Sequence, residues 1–335
     1  MRAPGPIAVL GAGSWGTALA VLLARNAQPV RLWGRDREAM ARLARERCNT
    51  RYLPGVVLPP ALRVGSDLAD ALSGADDVLL AVPSHAFRDT LAAVAAERPA
   101  LQALAWVTKG LEPGGGRFLS DIVADHLGRG SSRALLSGPT FAGEVARGLP
   151  TAVTLAGNAD AYVRRLATRF HADAFRVYTS DDLVGVQLCG AVKNVLAIAA
   201  GIGDGLGLGA NTRAALITRG LAEVTRLGVA LGGRAETFVG LAGLGDLLLT
   251  CTDDQSRNRR FGIALARGMS IEQAAAHVGQ VVEGLGNARE VSSLASRHAV
   301  EMPIAEQVHR VLFHGVEPGT AVRALLARRS RSETD

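Results

Sequence analysis

Residues 7–24, IAVLGAGSWGTALAVLLA, restrict the fold more than any other stretch of this 335-residue chain. An apolar run at its start reads as a short strand, the spacing Gly11-x-Gly13-x-x-Gly16 comes next, and an apolar helix continues. Gly11 permits a tight turn, Gly13 lacks the Cβ that would keep backbone amides from a pyrophosphate, and Gly16 lets helix and strand pack closely. A dinucleotide held at the amino end of that helix is therefore expected. A secretory leader needs an unbroken apolar core, which these glycines interrupt.

Beyond Ala24 the chain alternates short apolar runs with helical patterns, as in a parallel sheet covered by helices. Strands are expected at residues 7–10, 30–33, 62–64, 77–82, 103–107, 134–137, 152–155 and 175–178. After Tyr178 the period changes: Asp181-Asp182 is a good helix start, and apolar residues then recur at three and four positions with no convincing strand. The boundary falls near residues 179–186, giving an α/β, Rossmann-type dinucleotide-binding domain over residues 1–182 and an all-α domain over 183–335. A ligand held by both is expected in the cleft where they meet.

At 48% hydrophobic and 20% charged residues the chain is globular rather than disordered. A pI near 9.9 would suit nucleic acid. The arginines are spread along the whole chain, however, and aromatics make up only 4%, so no basic stripe with stacking residues is present and no nucleic-acid partner is expected. Cys48, Cys189 and Cys251 form no CxxC pair and no ligand cluster with the scattered histidines; no metal is expected, and a reducing cytoplasm fits. No segment reaches membrane-spanning length without a charge or a glycine break, so the protein is not expected to be membrane-embedded.

The 37 basic residues divide into 35 Arg and 2 Lys, at positions 109 and 193. A bias that strong suits a codon preference that placed Arg wherever a solvated charge sufficed. It marks the two lysines as positions where a guanidinium will not serve, since Arg stays charged at any working pH while a desolvated Lys can give up its proton. Lys193 lies in CGAVKNVLAIAAG and is the one charged side chain between Asp182 and Asp204, in a spacing that reads as a buried helix. Burial with another cation nearby would draw it toward the working range of a general acid.

Three expected strands end in VPSH, TKGLEP and SGPTF, which puts Ser84, Lys109, Gly138 and Thr140 on the carboxyl rim of the sheet, where open α/β folds bind ligands. The second strand closes with LWGRDRE. Arg35 there suits a 2′-phosphate and favours NADPH, while Asp36 directly after it keeps NAD open. In the helical half, Asp246 sits in a glycine-rich apolar surround and is followed by Ser256, Arg257 and Asn258. A hydroxyl, a guanidinium and an amide so grouped can hold a phosphate, although the run reads equally as a solvated loop. Glu283, after the apolar run in GQVVEG, either reaches the cofactor or starts a helix.

Taken in order with GVQLCGAVKNVLAIAAGI, these motifs closely resemble bacterial NAD(P)-dependent glycerol-3-phosphate dehydrogenase from about residue 5 to about residue 325. The resemblance implies a cytoplasmic, homodimeric oxidoreductase that interconverts dihydroxyacetone phosphate and sn-glycerol 3-phosphate and supplies glycerol phosphate for phospholipids. It implies that Lys193 is the catalytic lysine and that Lys109 touches both cofactor and substrate. Gly138, Thr140, Asp246, Ser256, Arg257 and Asn258 match substrate contacts. Ser14, Trp15, Ala142, Arg257, Val281 and Glu283 match cofactor contacts, with Arg35 and Tyr52 at less uniform positions. Two rivals stand beside this reading. One is a related two-domain dehydrogenase of another small hydroxy acid or sugar phosphate, against which GPTF and SRNRR count; the other is a Rossmann-fold protein that senses NADP or binds nucleic acid without chemistry.

Overall fold

The computed structural model describes residues 4–328. The chain falls into two compact units, one of Met1–Glu112 with Arg117–Gln187 and one of Pro113–Gly116 with Leu188–Asp335.

The first unit runs β1 (Ile7–Leu10), α1 (Ser14–Arg25), β2 (Val30–Trp33), α2 (Arg37–Glu46), β3 (Arg63–Gly65), α3 (Leu68–Leu72), β4 (Asp77–Leu80), α4 (Ser84–Glu97) and β5 (Ala103–Trp106). It continues through α5 (Leu119–Leu127), β6 (Ser132–Ser137), α6 (Ala142–Arg147), β7 (Thr151–Gly157), α7 (Asp160–Phe170) and β8 (Phe175–Ser180). The strands form one eight-stranded sheet in the order β3-β2-β1-β4-β5-β6-β7-β8. All four residues of β1 and of β4 are buried, the pattern of strands covered on both faces. The sequence pattern allows a charge at the head of β4 because Asp77 pairs with Arg169 at 2.6 Å and Arg165 at 2.8 Å. Strands β6, β7 and β8 extend beyond their apolar stretches, since Ser132, Thr151 and Ser180 still take part in the ladders.

The sheet is not wholly parallel as the alternation suggested: β6 and β7 pair antiparallel, with Leu135 opposite Ala156. The link between them explains this. Its helix has six residues, which at 1.5 Å per residue spans about 9 Å and cannot carry the chain back across the sheet for a parallel crossover.

Helix α8 (Leu183–Gly205) begins in the first unit and passes into the second at Leu188; the second unit continues through α9 (Gly209–Ala230), α10 (Ala235–Phe238), a π-helical turn (Leu241–Gly245), α11 (Asp246–Thr252) and α12 (Arg257–Ala266), then α13 (Ile271–Val278), α14 (Glu283–Arg297), α15 (Pro303–Phe313) and α16 (Pro318–Leu326). Asp182 starts α8 by accepting from the Gly185 N–H at 2.8 Å. From Val186 to Ile202 most side chains of α8 are buried, as in a core helix apolar all round. This helix and the segment Ala235–Thr252 are long and apolar enough to cross a membrane; 83% of the apolar window of α8 is buried inside the protein, the mark of a core helix. Helices α8 and α12 touch at backbone distance, for a Cβ on Gly262 would lie 2.2 Å from the Ile198 oxygen.

Glu223 in α9 accepts from the N–H of Ile304 at 2.8 Å and of Ala305 at 3.3 Å, capping α15. Burial pushes its carboxyl up to about 7, against a partial pull downward from those N–H groups and the nearby Arg226 and Arg328. A folded value above the unfolded one means that the folded state holds a proton the unfolded chain has released. The resulting stability is full below about pH 4.5 and is lost as pH rises through 7. In urea unfolding at pH 5 and pH 8, the wild type should lose on the order of 2–3 kcal/mol more than Glu223→Gln over that interval; equal losses would show that this carboxyl titrates normally.

Candidate active site

Strands β1, β4, β5 and β6 run parallel, so their carboxyl ends share one rim of the sheet. The glycine turn leaves β1 there. Gly11 has φ +125°, a conformation that favours glycine, and a Cβ on it would stand 2.5 Å from the Ala81 oxygen. A Cβ on Gly16 would stand 1.9 Å from the Gly11 oxygen, so these two glycines are required by the turn itself. Gly13 is different: a Cβ there would meet nothing within 4 Å. No contact within the chain requires its bareness. Ser14 and Trp15 open α1, whose cap Gly13 offers no side-chain acceptor to the first-turn N–H groups. The Trp15 Nε1 is buried with no hydrogen-bond partner among the described residues. An open approach, free helix-start donors and a waiting N–H together fit a dinucleotide pyrophosphate.

Asn49, which the sequence did not single out, ties the next loop to this turn. Its Nδ2 donates to the Ala12 oxygen at 2.9 Å and to Thr17 Oγ1 at 2.8 Å, while its Oδ1 accepts from the Tyr52 N–H at 3.3 Å. The Arg51 guanidinium lies over the Tyr52 ring, 5.0 Å from its centre. At the end of β2, Asp36 accepts from the Ala39 N–H at 3.0 Å and caps α2, whereas Arg35 is exposed. Farther along the rim, Lys109 Nζ donates to the Gly138 oxygen at 2.9 Å and to Thr140 Oγ1 at 3.4 Å. Thr108 donates to the Val82 oxygen at 2.7 Å, so the three rim turns expected from sequence are hydrogen-bonded to one another. Ala142 begins α6 just after them.

In the second unit Lys193 stands mid-helix, its side chain 9% exposed. Its Nζ donates to Asp246 Oδ1 and, at 3.0 Å, to Thr250 Oγ1; that hydroxyl donates in turn to the Asp246 backbone oxygen at 2.6 Å. Asp246 comes directly after the π-helical turn, a local distortion common at functional sites. Burial pushes the neighbouring Cys251 thiol up to about 12, which removes it as a nucleophile.

Of the three arginines in SRNRR, Arg259 is satisfied by Asp204 at 2.7 Å and by Asp254, and Arg260 is exposed. Arg257, the first residue of α12, is half-buried and donates no hydrogen bond to any described residue. Burial holds its guanidinium below its ordinary value, with the Glu283 carboxylate pulling the other way. Ser256 caps α12 through the Arg259 N–H at 3.2 Å, and Asn258 is bonded to Asn194 and to Gly284. Glu283 begins α14, and Val281 before it is 42% exposed.

The amino-terminal model of NAD-dependent glycerol-3-phosphate dehydrogenase matches residues 6–163, and the carboxyl-terminal model matches residues 182–323. The chain belongs to that family. A glycerol-3-phosphate dehydrogenase, NAD(P)+, of Thioalkalivibrio sulfidiphilus is 57% identical over 328 residues, 98% of each chain. One of Pseudoalteromonas translucida is 55% identical over 331 residues, again 98% of each. The crystal structure of glycerol-3-phosphate dehydrogenase from Coxiella burnetii is 51% identical, with a TM-score of 0.94 over 97% of this chain and 99% of that one. A D-mandelate dehydrogenase at 13% identity and TM-score 0.64 shares the fold alone.

For this dehydrogenase-family chain, Gly16→Ala forces the Gly11 carbonyl out of the turn. Overpacking of that kind costs about 1–3 kcal/mol, so the NADPH dissociation constant from fluorescence titration should rise at least about tenfold; unchanged affinity would show that the turn does not hold the coenzyme.

Proposed function

We propose that this chain catalyses reversible hydride transfer between NAD(P)H and dihydroxyacetone phosphate, giving sn-glycerol 3-phosphate for glycerophospholipid synthesis. The observation that carries this reading is the ammonium of Lys193, buried in an apolar helix and aimed by a carboxylate and a hydroxyl. The Gly11–Gly16 turn with Ser14, Trp15, Arg35, Tyr52, Ala142, Val281 and Glu283 would hold a nicotinamide coenzyme, which would supply the chemistry of hydride transfer.

The remaining work falls to the protein. Lys193 Nζ gives a proton to the carbonyl oxygen as the carbon is reduced and takes it back in the reverse direction. Asp246 and Thr250 fix where that proton points. Arg257, with no internal hydrogen bond to break and helix-start N–H groups beside it, takes the substrate phosphate. Ser256 keeps its O–H for the same anion, since the bond it makes as a cap uses its oxygen. Lys109, Gly138, Thr140 and Asn258 are the further substrate contacts that family likeness supports.

NADPH is the favoured coenzyme, because Asp36 is spent as a helix cap while Arg35 is exposed and has no described partner. Residence in the cytoplasm as a homodimer, outside the membrane, completes the proposal.

Absorbance at 340 nm with NADPH or NADH, with and without dihydroxyacetone phosphate, tests the assignment: substrate-dependent oxidation is expected, and none in any combination would refute it. Lys193→Arg keeps the charge and should still lower turnover at least about 100-fold, the low end for losing a general acid. Arg35→Ala should raise KM for NADPH by about tenfold or more, the size of one charge-assisted hydrogen bond, and leave KM for NADH within about twofold; equal effects on both would point to NAD as the natural coenzyme.

A further inference from the structure

Three segments of the second unit meet in a chain of hydrogen bonds that the reaction does not itself require. The N–H of Gly284 donates to Asn258 Oδ1 at 2.9 Å, Asn258 Nδ2 donates to Asn194 Oδ1 at 2.9 Å, and Asn194 Nδ2 donates to the Gly190 oxygen at 3.0 Å. All three linked residues are buried. Each stands one position after a residue assigned to the chemistry: Asn194 after Lys193, Asn258 after Arg257 and Gly284 after Glu283. A Cβ on Gly284 would lie 2.6 Å from the Asn194 oxygen and 2.9 Å from Asn258 Oδ1, so the start of α14 rests on the asparagine pair at backbone distance.

We propose that Asn194, Asn258 and Gly284 form a positioning hub, which holds the proton-donating lysine, the phosphate-binding arginine and Glu283 at fixed mutual spacing. The proposal rests on the roles given to Lys193 and Arg257 under the proposed function. It also gives Asn258 a second part: its carbonyl oxygen and one N–H are committed to the hub, and its other N–H is left for the substrate contact. The bonds are worth little to the fold, since a net hydrogen bond contributes about 1 kcal/mol. They matter to rate, where a misplacement of about 1 Å can cost roughly 100-fold.

The test compares wild type with Asn194→Ala, Asn258→Ala, Gly284→Ala and the Asn194→Ala/Asn258→Ala pair. Substrates are dihydroxyacetone phosphate and unphosphorylated dihydroxyacetone, and amide hydrogen exchange is followed at Gly284. The hub requires kcat/KM to fall at least about tenfold for both ketones in every single variant, with the pair no worse than the poorer single one, because coupled residues do not add. It also requires Gly284 to be protected in wild type and to exchange faster in Asn194→Ala, although Asn194 contacts it through Asn258. A rise in KM for dihydroxyacetone phosphate alone in Asn258→Ala, with Asn194→Ala behaving as wild type, would confine Asn258 to the phosphate and overturn the hub. So would an unprotected Gly284 in wild type, a result that needs no variant to fold. An inactive wild type would count against the reaction assignment instead, while exchange at Gly284 still decides the hub.

Discussion

The buried pair of Lys193 and Asp246 is the interaction on which the proposed reaction depends. An ammonium and a carboxylate taken out of water lose hydration that their attraction seldom repays in full, so a buried pair is poor support for a fold. Here the lysine is 9% exposed and the aspartate 1%. The surroundings are arranged to tolerate them: Thr250 accepts from the ammonium and donates to the Asp246 backbone oxygen, and the π-helical turn before Asp246 presents the carboxylate to α8. The proposed function gives this costly geometry a use, delivery of a proton from a fixed place.

The same economy recurs around the pair. Arg259 is neutralised by two aspartates and Arg260 is exposed, so Arg257 is the half-buried guanidinium of the three with bonds to offer. Asp36 caps the start of α2, while Arg35 beside it is exposed. Gly11 and Gly16 are demanded by contacts within the chain, while Gly13 is not, and the proposed coenzyme gives that open position a use. In each case the polar groups that the fold consumes identify, by subtraction, those available for binding.

Much of this was legible in the sequence. The switch in apolar period located the sheet and the helices, and the scarcity of lysine singled out Lys109 and Lys193 before any geometry was known. Strand direction was not legible, because an apolar run reads alike in either sense; the shortness of the link before β7 decides it. Asn49 and Asn194 carry no sequence signal, since a buried asparagine matters through neighbours dozens of residues away. Thr250 was within reach: it lies four residues after Asp246, on the same helical face, but glycines just before the aspartate hid where that helix begins. Lys193 and Asp246 were each singled out in the sequence; their bond spans 53 residues of chain.

The central claim is that the Lys193–Asp246 pair exists for the proton and not for the fold. The double variant Lys193→Met/Asp246→Leu tests it most directly, by replacing the pair with apolar side chains of similar volume. Thermal unfolding, NADPH binding and turnover are measured on the same sample. Turnover should vanish while the melting temperature is kept or raised and NADPH still binds, as when buried ion pairs elsewhere are exchanged for hydrophobic residues. Appreciable reduction of dihydroxyacetone phosphate, or a protein that no longer folds, would contradict the claim.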